Sequence, residues 1–259
     1  MKNKRIYICE DSAEGIFTAI YDAWSSRYGH EYNRIEVSMD NENGINLELF
    51  SEYINVKTDE EKAVKVAKAI KEKISMEAYN MVCHGIWSEK AEKADVVYRF
   101  LILGFNMGAK VVNHLGNDTV MSLFEMNRNV SNEVHHYLGF LRFKEINNHI
   151  LLAKINPKND IVRLIAPHFS DRLSNENFII YDVKRKTSIV HKAGFPWIYT
   201  IGDHLNLDRT GNFSNAEEEF QNLWKTFFET IGIEARTNHK LQRNNLPLRF
   251  RNHMTEFNK

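Results

Sequence analysis

Cysteine is almost missing from this 259-residue sequence, which holds only Cys9 and Cys83. They have no metal-ligand spacing and no disulfide framework, and both lie in apolar stretches, where buried thiols are common. A reducing cytoplasm is the natural setting for such a chain. Proline is scarce as well, with four residues, and no Pro- or Ser-rich linker divides the sequence. No apolar run reaches the roughly 18 residues of a membrane span. The basic opening Met1-Lys2-Asn3-Lys4-Arg5 is not followed by a long apolar core and a small-residue cleavage site, as a secretion signal would be. Membrane-embedded and secreted classes are set aside on these grounds. Gly104-Phe105-Asn106-Met107-Gly108 and Gly202-Asp203 lack the Gly-rich spacing and the Lys-Ser/Thr pair of a phosphate loop, so ATP hydrolysis gains no support. Net charge of one sign is absent too: 34 basic residues balance 34 acidic ones, and any affinity for a polyanion must come from a local patch.

What is present is an ordinary globular composition, 43% hydrophobic, 12% aromatic and 26% charged, sufficient for one large core or two modest ones. Arg5–Cys9 is short and β-prone. Asp11-Ser12-Ala13-Glu14 resembles a capping box ahead of Ile16, Phe17, Ile20, Trp24 and Tyr28 at helical spacing, with Gly29 placed to end the helix. Ile45–Val56 reads as one or two strands, after which Thr58-Asp59-Glu60-Glu61 caps a helix with Ala63, Val66, Ala67, Ile70 and Ile74 on one stripe. Met76–Trp87, Ala94–Phe105 and Asp118–Tyr137 continue the helical pattern.

From Gly139 the period changes. Phe140, Arg142 and Lys144 alternate imperfectly with apolar residues, Ile150–Ile155 is β-rich, and Asn156–Asp160 is a turn before Ile161–Ile165. Phe178–Tyr181, Thr187–Val190 and Trp197–Ile201 extend an antiparallel meander, interrupted by a helical segment near His168–Leu173 and a polar hairpin at Asp182–Lys186. Ser214-Asn215-Ala216-Glu217 then caps a helix through Phe220, Leu223, Trp224, Phe227, Phe228 and Ile231. The expected fold is α+β. It is a single compact unit over 1–259, with a mainly helical subregion 1–137 packed with a sheet-containing subregion 138–259 that ends in a C-terminal helix and a basic tail.

The tail is where charge concentrates. From Gly232 to the end, Arg236, Lys240, Arg243, Arg249, Arg251 and Lys259 face only Glu234 and Glu256. Asn238, Gln242 and aromatic residues lie between them. Cations neutralise phosphates while amides hydrogen-bond to sugars or base edges, so this end suits a polyanion; it also suits a solvated terminus. Phe140-Leu141-Arg142-Phe143-Lys144 resembles strands that stack bases while charges hold phosphates, although aromatics at that spacing also pack cores. His168, Asp171 and Arg172 read as a site after a strand, where a helix N-terminus can bind an anion and Asp can orient His or Arg. Capping and ion pairing are the structural alternative. Asp182, Lys184, Arg185 and His191 form either a binding rim or surface pairs. Adjacent His135 and His136 diverge on a helix and lack a third ligand at a recognised spacing, so no metal and no cofactor is expected.

These segments carry a resemblance. The tail, with His168-Phe169-Ser170-Asp171-Arg172, Tyr181-Asp182-Val183-Lys184-Arg185 and Gly139-Phe140-Leu141-Arg142-Phe143, resembles a bacterial family described as probable DNA metabolism proteins. Members are typically encoded beside a putative DNA-repair radical S-adenosylmethionine (SAM) protein, and a related domain occurs fused to uracil-DNA glycosylase-like domains. In that family the first strand usually ends in Tyr-Asp-Gly and a hydroxyl residue, where this chain has Ile8-Cys9-Glu10-Asp11-Ser12. The resemblance implies a cytoplasmic role in DNA repair or base modification beside a radical SAM partner. It supplies no reaction and no catalytic residue. Two cysteines so far apart cannot reproduce the three clustered cysteines of a radical enzyme's iron-sulfur site, so this chain is not itself that enzyme.

Three readings follow. In the first, the chain is a DNA-binding accessory protein using Arg142, Lys144, Arg172, Lys184, Arg185, Arg236, Asn238, Lys240, Gln242, Arg243, Arg249 and Arg251. In the second it is a nuclease or base-processing enzyme with His168 and Asp171 as acid/base groups and Arg172 on the phosphate. The third is a scaffold that binds no DNA.

Overall fold

The computed structural model describes residues 2–38, 48–146, 149–202, 215–231 and 233–257. The chain forms two compact units, Met1–Ser131 and Asn132–Lys259. The proposed cap residue Ser214 and the first part of the Ile45–Val56 run lie outside the described residues.

The first unit begins with β1 (Lys4–Cys9), α1 (Ala13–Ser25), β2 (Asn33–Val37) and β3 (Ser51–Asn55). Its helices continue with α2 (Glu60–Lys73), α3 (Met76–Ile86), α4 (Lys93–Met107) and the first part of α5 (Asp118–Phe140). Helix predominates here as expected, but a three-stranded sheet of order β2-β1-β3 accompanies it, with both pairings parallel. The caps lie one residue beside the expected ones. Ser12 caps α1 by accepting from Gly15 N, and Asp59 caps α2 by accepting from Lys62 N. Thr58 instead donates its hydroxyl to Glu10 Oε2 at 2.6 Å.

Ile16, Ile20, Ile35, Ile70, Val97 and Leu101 close the core of this unit without solvent access worth noting. Polar groups accompany them: Tyr98 hydroxyl bonds His30 Nδ1 at 2.7 Å, and Arg99 donates to the backbone oxygens of His30 and Asn33. Cys9 is buried and Cys83 half-buried. Burial pushes Cys9 up to about 12 and raises Cys83 by the same cause, which favours the neutral thiol over the nucleophilic thiolate.

The second unit takes the end of α5 and adds β4 (Lys144–Ile146), β5 (Ile150–Ile155), α6 (Val162–Arg172), β6 (Asn177–Asp182), β7 (Thr187–His191) and β8 (Ile198–Ile201). Then follow α7 (Asn215–Thr230), α8 (His239–Asn245) and α9 (Leu248–Arg251). The five strands run in the order β4-β5-β6-β7-β8, and the sheet is mixed, because β5 and β6 are parallel while the other pairs are antiparallel. This corrects the meander. Ile161–Ile165 is the start of α6, not a strand, and a helix between two strands returns the chain in the same direction. The spacing of Ile161, Val162, Ile165, Ala166 and Phe169, all buried, gives that helix its inner face. Gly139 and Phe140 likewise belong to the last turn of α5.

Helix α6 packs on β6 and β7. On the opposite sheet face Ile146, Leu152 and Tyr181 form a second buried cluster with Ile150 and Ile179 against it. Among the described residues no helix is long and apolar enough to cross a membrane.

Candidate nucleic-acid interface

Two buried carboxylates organise the C-terminal end of the parallel pair β5–β6. Glu133, with a side chain 2% exposed, accepts from Lys158 N at 3.0 Å, Asn159 N at 2.8 Å and Asn159 Nδ2 at 2.7 Å, and pairs with Arg249 Nη1 at 3.2 Å. Asp182, wholly buried, accepts from Lys184 N at 2.9 Å and Arg185 N at 3.2 Å and pairs with Arg185 Nη1 at 3.0 Å. The Arg185 guanidinium also donates to the backbone oxygens of Pro157 and Lys158. The loop after β5 and the hairpin after β6 are thereby held by charge-assisted bonds at the sheet edge where open parallel sheets place their ligands.

These bonds sort the proposed contacts into two groups. Arg185 and Arg249 serve the carboxylates just described. Arg142 pairs with Glu256 Oε1 at 2.9 Å, on a carboxylate 3% exposed that also accepts from Trp224 Nε1. Arg251 donates to Leu246 O and lies 4.6 Å over the Phe257 ring. Asn238 caps α8 by accepting from Leu241 N at 2.9 Å. All five act inside the fold. Lys184, Arg236, Lys240 and Arg243 are exposed and, among the described residues, form no hydrogen bond or ion pair through their side chains. Gln242 is half-buried on α8, and Lys144 is half-buried on β4, its ammonium held below the usual lysine range chiefly by burial.

His168, Asp171 and Arg172 fall elsewhere than expected. They occupy the last turns of α6, not its N-terminus; a helix C-terminus carries partial negative charge and repels an anion. All three are exposed, and among the described residues none has a side-chain hydrogen bond or ion pair. His191 is structural: its ring stacks on Phe178 at 4.6 Å and its Nδ1 bonds Glu176 O at 3.0 Å.

A feature the sequence reading passed over is a cleft of about 430 Å³ between the end of α5 and α8, walled by His135, His136, Phe140, Asn244 and Asn245. His136 stacks on Phe140 with 12° between ring planes, meets Phe250 edge-on at 5.1 Å, and has no hydrogen-bond partner for its buried Nδ1. Burial, then the Arg249 and His135 charges, lowers the His136 pKa, which favours the neutral imidazole. Lys240 precedes Asn244 by one helical turn, and Arg243 adjoins it. A flat π-wall, two neighbouring amides and free cations are the groups that receive an unstacked base and its phosphate. Among the described residues no group of three His, Cys, Asp or Glu is placed to hold a metal ion.

A mixed sheet packed with helices and finished by a basic, amide-rich helical tail defines an α+β protein with a polar interface at its C-terminal end. The chain belongs to the DUF4130 family, a domain of unknown function whose model matches residues 91–256, more than half of the sequence. No curated protein matches it. A solved structure described as a DHH domain, member of the s1p family of ribosomal proteins, is similar over 74% of each chain at 11% identity, with a TM-score of 0.30. That likeness is too low to carry a functional argument.

Proposed function

We propose that the protein is a DNA-binding accessory factor in DNA repair or base modification that presents DNA to a radical SAM partner. The observation that carries the binding part is the group Arg236, Lys240 and Arg243, exposed and unpaired among the described residues, of which Lys240 and Arg243 share α8 with the cleft residues Asn244 and Asn245. Partnership with a radical enzyme rests on the family resemblance of the tail and the Tyr181–Arg185 segment. The cleft favours single strands, because a base must leave its stack to enter it.

A salt titration of binding to single-stranded and duplex DNA tests this reading. Affinity for single strands is expected to be the greater and to fall as salt rises. Replacing Lys240 and Arg243 with Gln should lower the slope of log affinity against log salt by roughly 1.4, about 0.7 for each lost phosphate contact. Binding with an unchanged slope in that variant, or no binding at low salt, overturns it. Arg249→Ala is unsuitable for the purpose, since it strands the buried Glu133 carboxylate.

A further inference from the structure

A second concentration of positive charge lies on the sheet of the C-terminal unit, built by strand register instead of by sequence proximity. Lys144 on β4 stands opposite Leu152 on β5, and Lys154 follows two residues on, so both lysines project from one face. Tyr181, paired with Lys154 across the parallel ladder, shares that face. Helix α7 is anchored over the β4 edge by Glu217 Oε2, which accepts from Glu145 N at 2.9 Å. Gln221 and Lys225 follow Glu217 at successive four-residue steps along one side of the helix. The segment after α9 is tied to α7 by Trp224 Nε1 donating to Glu256 and by the Phe228–Phe257 ring contact, which carries the half-buried His253 into the group.

The charges do not balance. Glu217 is the carboxylate that reaches Lys144, and its two oxygens already accept from Glu145 N and from Gln221 Nε2 at 2.7 Å. Even with Lys144 fully compensated, Lys154 and Lys225 remain half-buried with no hydrogen bond or ion pair among the described residues. Burial is the largest influence on both Lys144 and His253; on Lys144 the opposing charge of Glu217 comes next, ahead of Lys225 and Lys154, while on His253 Lys144 and Lys154 follow burial directly. Like charges gathered in partial burial are unfavourable unless an anion joins them. Three ammoniums offering several donors suit a tetrahedral oxyanion, because lysine binds phosphate as a point charge and needs no bidentate geometry.

We propose that Lys144, Lys154, Lys225 and His253 form a phosphate-binding site on this face of the sheet. It takes one phosphoryl group, from inorganic phosphate, the terminal monoester of an oligonucleotide, or a phosphodiester within a strand. The site is separate from the tail cations and does not require the tail to bind DNA.

The test uses the full chain and two variants, Lys154→Gln with Lys225→Gln, and Arg236→Gln with Lys240→Gln and Arg243→Gln. Millimolar inorganic phosphate is expected to raise the unfolding midpoint of the wild type and the tail variant over chloride at equal ionic strength, and to leave the Lys154/Lys225 variant unmoved. That variant should match or exceed wild-type stability in chloride, since it relieves repulsion. In wild type, the NMR-detected pKa of His253 should rise when phosphate is added. Oligonucleotides with and without a 5′-phosphate separate the sources: selective loss of affinity for the phosphorylated one in the Lys154/Lys225 variant assigns a monoester, and equal loss for both assigns a phosphodiester. No loss for either, with the response to inorganic phosphate abolished, assigns the free ion. Phosphate no better than chloride, a phosphate response surviving in the Lys154/Lys225 variant, or a His253 pKa indifferent to phosphate overturns the proposal.

Discussion

Basic side chains of one kind do opposite work here according to whether a carboxylate lies within reach. Arg142 is spent on Glu256, and removing it leaves a buried acid without its cation. Arg243 has no such partner among the described residues. Arg142→Ala is therefore expected to cost about 2–3 kcal/mol in urea unfolding. Arg243→Ala should stay within about 0.5 kcal/mol and act on DNA binding alone. Equal stability losses in the two variants would contradict the division. Nothing local in the sequence distinguishes these arginines. The partners Glu133 and Glu256 are supplied by α5 and by the chain end, so the tail was legible as cationic while its free and committed members were not.

Between strand and helix, single atoms decide how an element begins. At the third position of α1, Gly15 lies so close to Glu10 that an added Cβ would come within 2.6 Å of the Glu10 carbonyl oxygen. Gly15→Ala must shift backbone, at about 1–3 kcal/mol of stability, and should lower the thermal midpoint; an unchanged midpoint would show that the turn yields freely. The periodic helices α2, α3, α4 and α5 were readable because buried residues recur every three or four positions. Ile161–Ile165 was not. A short apolar run fits a buried strand and a helix turn equally, and only the later Ala166 and Phe169 complete the helical stripe that fixes β5 and β6 as parallel. Asn33–Val37 escaped notice because its polar residues Asn33, Arg34 and Glu36 mask a strand that is held by β1. The cleft of α5 and α8 escaped for another reason: its walls are more than a hundred residues apart in sequence.

Across the whole molecule three histidines share one response to acid. His30 in the first unit and His136 and His253 in the second all have pKa values lowered from 6.5, burial being the largest cause of each. The lesser causes are Arg99 at His30, Arg249 and His135 opposed by Glu133 at His136, and Lys144 with Lys154 at His253. The unfolded chain binds protons at these sites before the native chain does. Their stabilisation is thus complete above the unfolded value and is lost as pH falls through 6.5 toward the native values. Urea unfolding should show a lower midpoint at about pH 5.5 than at about pH 7.5, and His→Gln at these positions should flatten the difference. A midpoint that rises on acidification would refute it.

The all-parallel sheet of the first unit also sets an order in time. β1 has no neighbour in sequence with which to pair: Arg5 meets Asn33 across a whole helix, and Lys4 meets Ser51 beyond that. Closing such distant contacts costs chain entropy before any ladder bond repays it, whereas β6, β7 and β8 need only short reversals to zip together. The β6–β8 part of the second sheet therefore has the quicker route to its pairings, and β1 is the strand that waits.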